Sequence, residues 1–135
     1  DGRARTAFMR WLYRAASISA IDRSTPMVYI HAIELVETAV FTRQVEAELS
    51  DAAYSGLQWQ LLLGPARGDL IPGSGGLRKL RVALPGRGKR GGARVIYYWH
   101  RSAERIYLLF LYPKNVRSDL TRAQLKVLRG LVGDR

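Results

Sequence analysis

Two short alternating runs on either side of a stretch of glycines and cations, all within residues 73–99, constrain this chain more than anything else in it. Gly-Ser-Gly-Gly-Leu-Arg-Lys-Leu-Arg-Val-Ala leads into Leu-Pro-Gly-Arg-Gly-Lys-Arg-Gly-Gly, and Ala-Arg-Val-Ile-Tyr-Tyr-Trp follows. Side chains alternate along a strand, so over residues 77–83 Leu80 and Val82 face one way while Lys79 and Arg81 face the other. Arg94 opens a second strand over residues 93–100, whose β-branched and aromatic residues suit a pleated, half-buried surface. The spacing therefore predicts a hairpin with an apolar face and a face carrying Lys79, Arg81 and Arg94. Three cations on one side of a sheet are suited to meeting phosphate.

Charge points the same way. The chain has 135 residues and a formal net charge of +11, and the excess is uneven. Residues 71–117 carry eleven basic residues against one acid, whereas residues 27–70 carry two against six. A basic lobe beside an acidic one marks a binder of nucleic acid or another polyanion; the plainer reading is a well-solvated basic surface. A hydrophobic content of 47% supports a packed globule. No apolar run approaches the roughly 20 residues a membrane-spanning helix needs. The absence of cysteine rules out disulfides and thiolate chemistry. His31 and His100 have no partner at ligand spacing, so no metal site and no cofactor are expected.

In chain order, residues 1–26 are arginine-rich and read as an N-terminal extension, with the domain proper spanning 27–135. Pro26 discourages a helix from running through the junction. A first strand is expected over residues 27–35. From Thr38 the period turns helical, with Phe41, Val45 and Leu49 on one side. Ser50 or Asp51 caps a second helix with the stripe Tyr54, Leu57 and Leu61, and Gly64-Pro65 stops it. After the strand at 93–100, residues 105–112 are apolar on both faces and read as a central strand. Thr121 and Gln124 fit a capping box that opens a last helix. The order is strand, two helices, a three-stranded meander, helix. It predicts a small α+β fold whose antiparallel sheet carries its helices on one face.

Several motifs fail their physical context. Gly86-Arg-Gly88-Lys-Arg-Gly91 matches G-x-G-x-x-G, but a strand follows where dinucleotide binding needs a helix. Lys89 is followed by Arg90 and not Ser or Thr, so there is no phosphate-binding P-loop. Arg87, Lys89 and Arg90 do offer a cationic finger able to fold onto a nucleic-acid backbone. The nine-residue connection 84–92 is longer than the usual two to five, which favours some use for it. Among the aromatics, Tyr98 and Tyr112 are the candidates for stacking on bases.

Gly75-Gly-Leu-Arg-Lys-Leu-Arg, then Gly88-Lys-Arg-Gly-Gly-Ala-Arg-Val-Ile-Tyr-Tyr, then Tyr112-Pro-Lys-Asn closely resemble the RelE/ParE superfamily of bacterial toxins, and within it the HigB-like branch of RelE toxins. The resemblance covers about residues 27–132. It implies a compact RelE-like fold and a cytoplasmic toxin of a type II toxin–antitoxin system. It further implies a metal-independent endoribonuclease that cuts messenger RNA in the ribosomal A site. Its partners would be mRNA and ribosomal RNA, together with a cognate antitoxin, and no membrane. Carried over by position, the catalytic cations fall on Lys79, Arg81 and Arg94, and the basic residue after the last strand on Lys114; from the residues themselves, Lys114 and Arg78 read as phosphate contacts, and Arg87, Lys89, Arg90 and Tyr98 complete the RNA-binding set. Some members place a tyrosine near the start of the last helix, where this chain reads Asp119-Leu-Thr121.

The chemistry can be argued separately. RNA supplies its own nucleophile, the 2′-OH, so the protein need only orient it, move its proton and stabilise the phosphorane. Crowding Lys79 against Arg81 and Arg94 disfavours the ammonium form, which would leave a neutral amine to act as general base. The arginine forks suit the developing charge, and the products would be a 2′,3′-cyclic phosphate and a 5′-OH. The alternative on the same fold is a ParE-like toxin that inhibits DNA gyrase without catalysis.

Overall fold

The computed structural model describes residues 33–84, 92–115 and 119–133. Strand β1 (Glu34–Glu37) leads through Thr38 into helix α1 (Ala39–Glu48), and helix α2 (Asp51–Leu63) follows. A two-residue strand β2 (Asp69–Leu70) precedes β3 (Leu77–Val82), β4 (Ala93–His100) and β5 (Arg105–Pro113), and helix α3 (Arg122–Val132) closes the domain.

The helix starts are set by their caps. Thr38 and Ser50 side chains accept from the backbone N–H of Phe41 and Ala53. Thr121 and Gln124 close the reciprocal box that their spacing predicts. Each cap satisfies donors that the first helical turn would otherwise leave unpaired.

The five strands lie in the order β1-β5-β4-β3-β2. β3, β4 and β5 form the expected antiparallel meander, and two features differ from the sequence reading. The sheet is mixed, because β1 pairs with β5 in parallel, from Glu34 opposite Arg105 to Glu37 opposite Leu108. A parallel neighbour needs a crossover between the two strands, and α1, α2 and the rest of the sheet supply it. The expected first strand at 27–35 appears as Glu34–Glu37, and residues 27–32 lie outside the described residues, as does the extension at 1–26.

The second difference is that helices cover both faces. Phe41, Val45, Leu57 and Leu61 from α1 and α2 pack with Leu35, Val95, Tyr97, Leu108 and Leu111. On the reverse, Leu128 and Val132 of α3 pack with Leu77, Ile96, Leu109 and Tyr112. This is why β5 is apolar on both faces: it is a sandwiched strand. Each fully buried Leu or Phe contributes about 1.5–3 kcal/mol relative to exposure. A β-bulge at Ile96/Tyr97 sets Leu109 and Phe110 together on the α3 side.

The outer edge of β5 beyond β1 is closed without another strand. Thr38 Oγ1 donates to the Leu109 carbonyl, the Leu111 N–H donates to Gln44 Oε1, and Pro113 has no N–H to offer. Such devices keep an edge from pairing with a foreign strand.

Candidate active site

Strand parity decides which cations meet. Residues 77, 79 and 81 of β3 share the α3 side with Leu77, while 78, 80 and 82 share the side packed by α1 and α2. In β4 the α3 side takes Arg94, Ile96 and Tyr98. Register then puts Arg81 directly opposite Arg94, and Lys79 opposite Ile96. Lys79, Arg81 and Arg94 therefore lie on one face, in neighbouring positions of two paired strands.

Their environments differ. Arg81 is exposed and Lys79 half-buried. Arg94 is only 7% exposed, and among the described residues its guanidinium makes a single hydrogen bond, to the Ala93 carbonyl at 3.3 Å. Among the described residues no carboxylate lies within 4 Å of it. A largely buried cation that lacks an anion is costly, and an incoming phosphate would satisfy it.

Lys79 does have an anion. Its Nζ donates to Asp119 Oδ1 at 2.9 Å. Asp119 stands just ahead of α3 and is held below the ordinary carboxylate range, first by that hydrogen bond, then by the charge of Lys79, with Arg94 and Lys114 adding smaller amounts. The charged group that Lys79 contacts is thus a carboxylate and not one of the neighbouring cations, unlike the crowding expected from the sequence. Lys79 enters the site as a hydrogen-bond donor.

Lys79 and Asp119 line a cavity of about 310 Å³ together with Ile71, Ile96, Tyr112 and Leu125. It lies between the open end of the sheet and the start of α3. A larger groove of about 460 Å³ runs along α1 and the end of β5. Each is lined by a single Lys or Arg, Arg43 in the groove and Lys79 in the smaller cavity, and the smaller one opens on the sheet face that also carries Arg81 and Arg94.

The remaining candidates divide. Lys114 is exposed, and its backbone N–H bonds the Gly92 carbonyl at 2.9 Å, which anchors it beside the start of β4 near Arg94. Arg78 does not join the set. It lies on the opposite face, where one nitrogen donates to the carbonyls of Ala66 (3.1 Å) and Gly68 (2.7 Å) and holds the loop after α2. Tyr98 is on the right face, but the Arg129 guanidinium sits 4.6 Å over its ring, so that ring surface is taken. The turn before β3 permits this packing: Gly75 and Gly76 have φ of 77° and 101°, and a Cβ on Gly76 would lie 3.0 Å from the Tyr98 ring. Arg87, Lys89 and Arg90 lie outside the described residues.

Sequence reasoning misses two participants. At position 119 it registers the absence of a tyrosine and not the presence of an acid. Arg129, from α3, gives no signal at all. Among the described residues no three His, Cys, Asp or Glu side chains are grouped to hold a metal, and no helix is long and apolar enough to cross a membrane.

The chain matches the family model described as the RelE toxin of the RelE/RelB toxin–antitoxin system over residues 35–134. Its fold is similar to that of the free-state structure of a double arginine-to-alanine mutant of the E. coli toxin RelE. The TM-score is 0.51 at 14% sequence identity, covering 73% of this chain and 97% of that one.

Proposed function

We propose, from the premise that this chain belongs to the RelE toxin family of the RelE/RelB toxin–antitoxin system, that it is a ribosome-dependent endoribonuclease that cuts mRNA in the A site. The observation that carries the reading is the pairing of Arg81 with Arg94 across the β3–β4 ladder, beside Lys79 and an open cavity. Among the described residues Arg94 has no carboxylate within 4 Å, so a phosphate can serve as its anion.

The roles follow from position. In the scissile linkage the 2′-hydroxyl gives its proton to solvent in the open site as its oxygen bonds to phosphorus, and the P–O5′ bond breaks with the 5′-oxygen taking a proton, giving a 2′,3′-cyclic phosphate and a 5′-OH. Negative charge grows on the non-bridging oxygens in the transition state. Two guanidinium forks fixed on adjacent strands meet that charge without reorganising. Lys79 is placed to donate to the departing oxygen. Lys114, exposed at the same end of the sheet, contacts the backbone of the bound strand. The ribosome supplies what the shallow site lacks, an mRNA held in the geometry for in-line attack.

In the cell the basic face calls for a covering partner, and a cognate antitoxin with an acidic segment fits it. The test uses translating ribosomes, with mRNA ends mapped by primer extension and DNA gyrase supercoiling assayed in parallel. Codon-dependent cuts that vanish in Lys79→Ala and Arg94→Ala are expected. Intact cleavage in both variants would overturn the role assignment, and gyrase inhibition without cleavage would move the protein to the ParE-like class.

A further inference from the structure

We infer that Asp119 is the resident anion of the cationic cleft: its carboxylate holds the seat beside Lys79 that a substrate phosphate must take, and so sets a threshold that single anions do not cross. The inference rests on the nuclease reading for the identity of the substrate, but its physical content is anion competition.

Four observations carry it. The Asp119 carboxylate is bonded to Lys79 at 2.9 Å and lines the same cavity. Arg94 and Lys114 lie near enough to favour its charged form slightly, so the carboxylate sits within the cationic set while pairing with Lys79 alone among the described residues. Its side chain is 69% exposed, against 34% for Lys79, so nothing packed holds it down. Finally, it stands outside the helix it precedes. The Thr121–Gln124 box fixes the start of α3 without it, and the carboxylate can swing away without unravelling a turn.

Proton abstraction is the rival role for such a residue. A carboxylate already bonded to an ammonium and held below its ordinary range is a weak proton acceptor. What it does well is stay ionised and occupy a cation. An RNA strand brings several phosphates and offsets the cost of displacing it through contacts at Arg81 and Lys114. A lone phosphate has no such second contact. Asp119 is thus a specificity-determining residue that favours an extended backbone over free anions.

Two probes test this in the intact chain by isothermal titration: inorganic phosphate, and a short 2′-deoxy oligonucleotide that cannot be cleaved. Removing the negative charge that competes for Lys79 in a water-exposed site, worth about 1 kcal/mol at contact range, should tighten phosphate binding about five-fold in Asp119→Asn. The oligonucleotide should gain less, because its remaining contacts already drive displacement. Glu104→Gln makes the same change in net charge at the far end of the β4–β5 hairpin and should leave phosphate affinity unchanged. No tightening in Asp119→Asn overturns the inference, as does an equal gain in Glu104→Gln. Because neither probe is cut, a chain that fails to cleave mRNA can still show the competition, and one that cleaves can still lack it.

Discussion

Arg78 and Lys79 are neighbours in sequence and opposites in fate. Arg78 points to the side closed by α1 and α2, where backbone carbonyls fix its guanidinium. Lys79 points to the α3 side, where among the described residues its partner is an exposed carboxylate. The first arrangement is a strut, since a carbonyl anchored in a loop cannot leave. The second is a latch that another anion can open. The wider faces repeat the contrast. On the Arg78 side the fully buried Tyr97 uses its hydroxyl to accept from the Gly68 N–H and donate to the Pro65 carbonyl, both at 2.8 Å. On the Lys79 side Arg94 is nearly as buried yet, among the described residues, has no acid within 4 Å. Arg78 and Tyr97 are held by carbonyls within the chain, whereas Lys79 and Arg94 present charge that an outside anion can take up.

Substitutions that separate the faces should show it. Arg94→Ala should cut ribosome-dependent cleavage about 10²–10³-fold, the usual loss for one fixed donor to a developing charge, while thermal stability stays the same or rises. A large fall in melting temperature with cleavage retained would make Arg94 a strut and erase the contrast. Tyr97→Phe should do the reverse. It leaves a buried N–H and C=O without partners, a cost of about 1–3 kcal/mol, and cleavage by the folded fraction should not change. Calorimetry on both variants, set beside primer extension, decides it.

Much of this division is legible in the order of the residues, and the rest is not, for identifiable reasons. Alternation places Lys79, Arg81 and Arg94 together because parity is local. The same parity puts Arg78 with Leu80 and Val82, so its departure from the RNA-binding set follows from residue numbers alone. Parity does not say which face a distant helix will cover. The α3 helix carries a clear apolar stripe, but whether that stripe meets the face of α1 and α2 or the reverse depends on a connection whose path no spacing encodes. The parallel β1–β5 pairing and the two-residue β2 are likewise tertiary choices, too short or too remote to leave a pattern. Asp119 lies forty residues from Lys79, and a pair at that separation has no sequence signature.

Salt dependence sharpens the contrast further. Arg81→Ala and Lys114→Ala should each weaken binding to a single-stranded oligonucleotide and lower the slope of log K against log salt by about 0.7, one phosphate contact. Arg78→Ala should leave the slope alone and cost stability of about 1–2 kcal/mol through its two carbonyl bonds. A slope that falls equally in Arg78→Ala would mean that both faces meet nucleic acid.

The smallest effects are set by pH, and the two faces should answer at opposite ends of the scale. Burial pushes the Tyr97 hydroxyl above its ordinary value near 10, and the hydrogen bond from Gly68 only partly offsets this. Above pH 10 the unfolded chain gives up this proton while the folded one keeps it, so stability falls as pH rises, and Tyr97→Phe removes that limb. Asp119 is shifted the other way. Its folded carboxyl loses its proton more readily than the unfolded one, so the Lys79 pair contributes above the ordinary aspartate range and is lost as pH falls through the folded value. The pair is exposed, so the contribution is small. Asp119→Asn should therefore differ from the parent in denaturant midpoint near neutrality and converge with it in acid. Curves that stay parallel down to pH 2 would mean that the latch on the α3 side holds nothing closed.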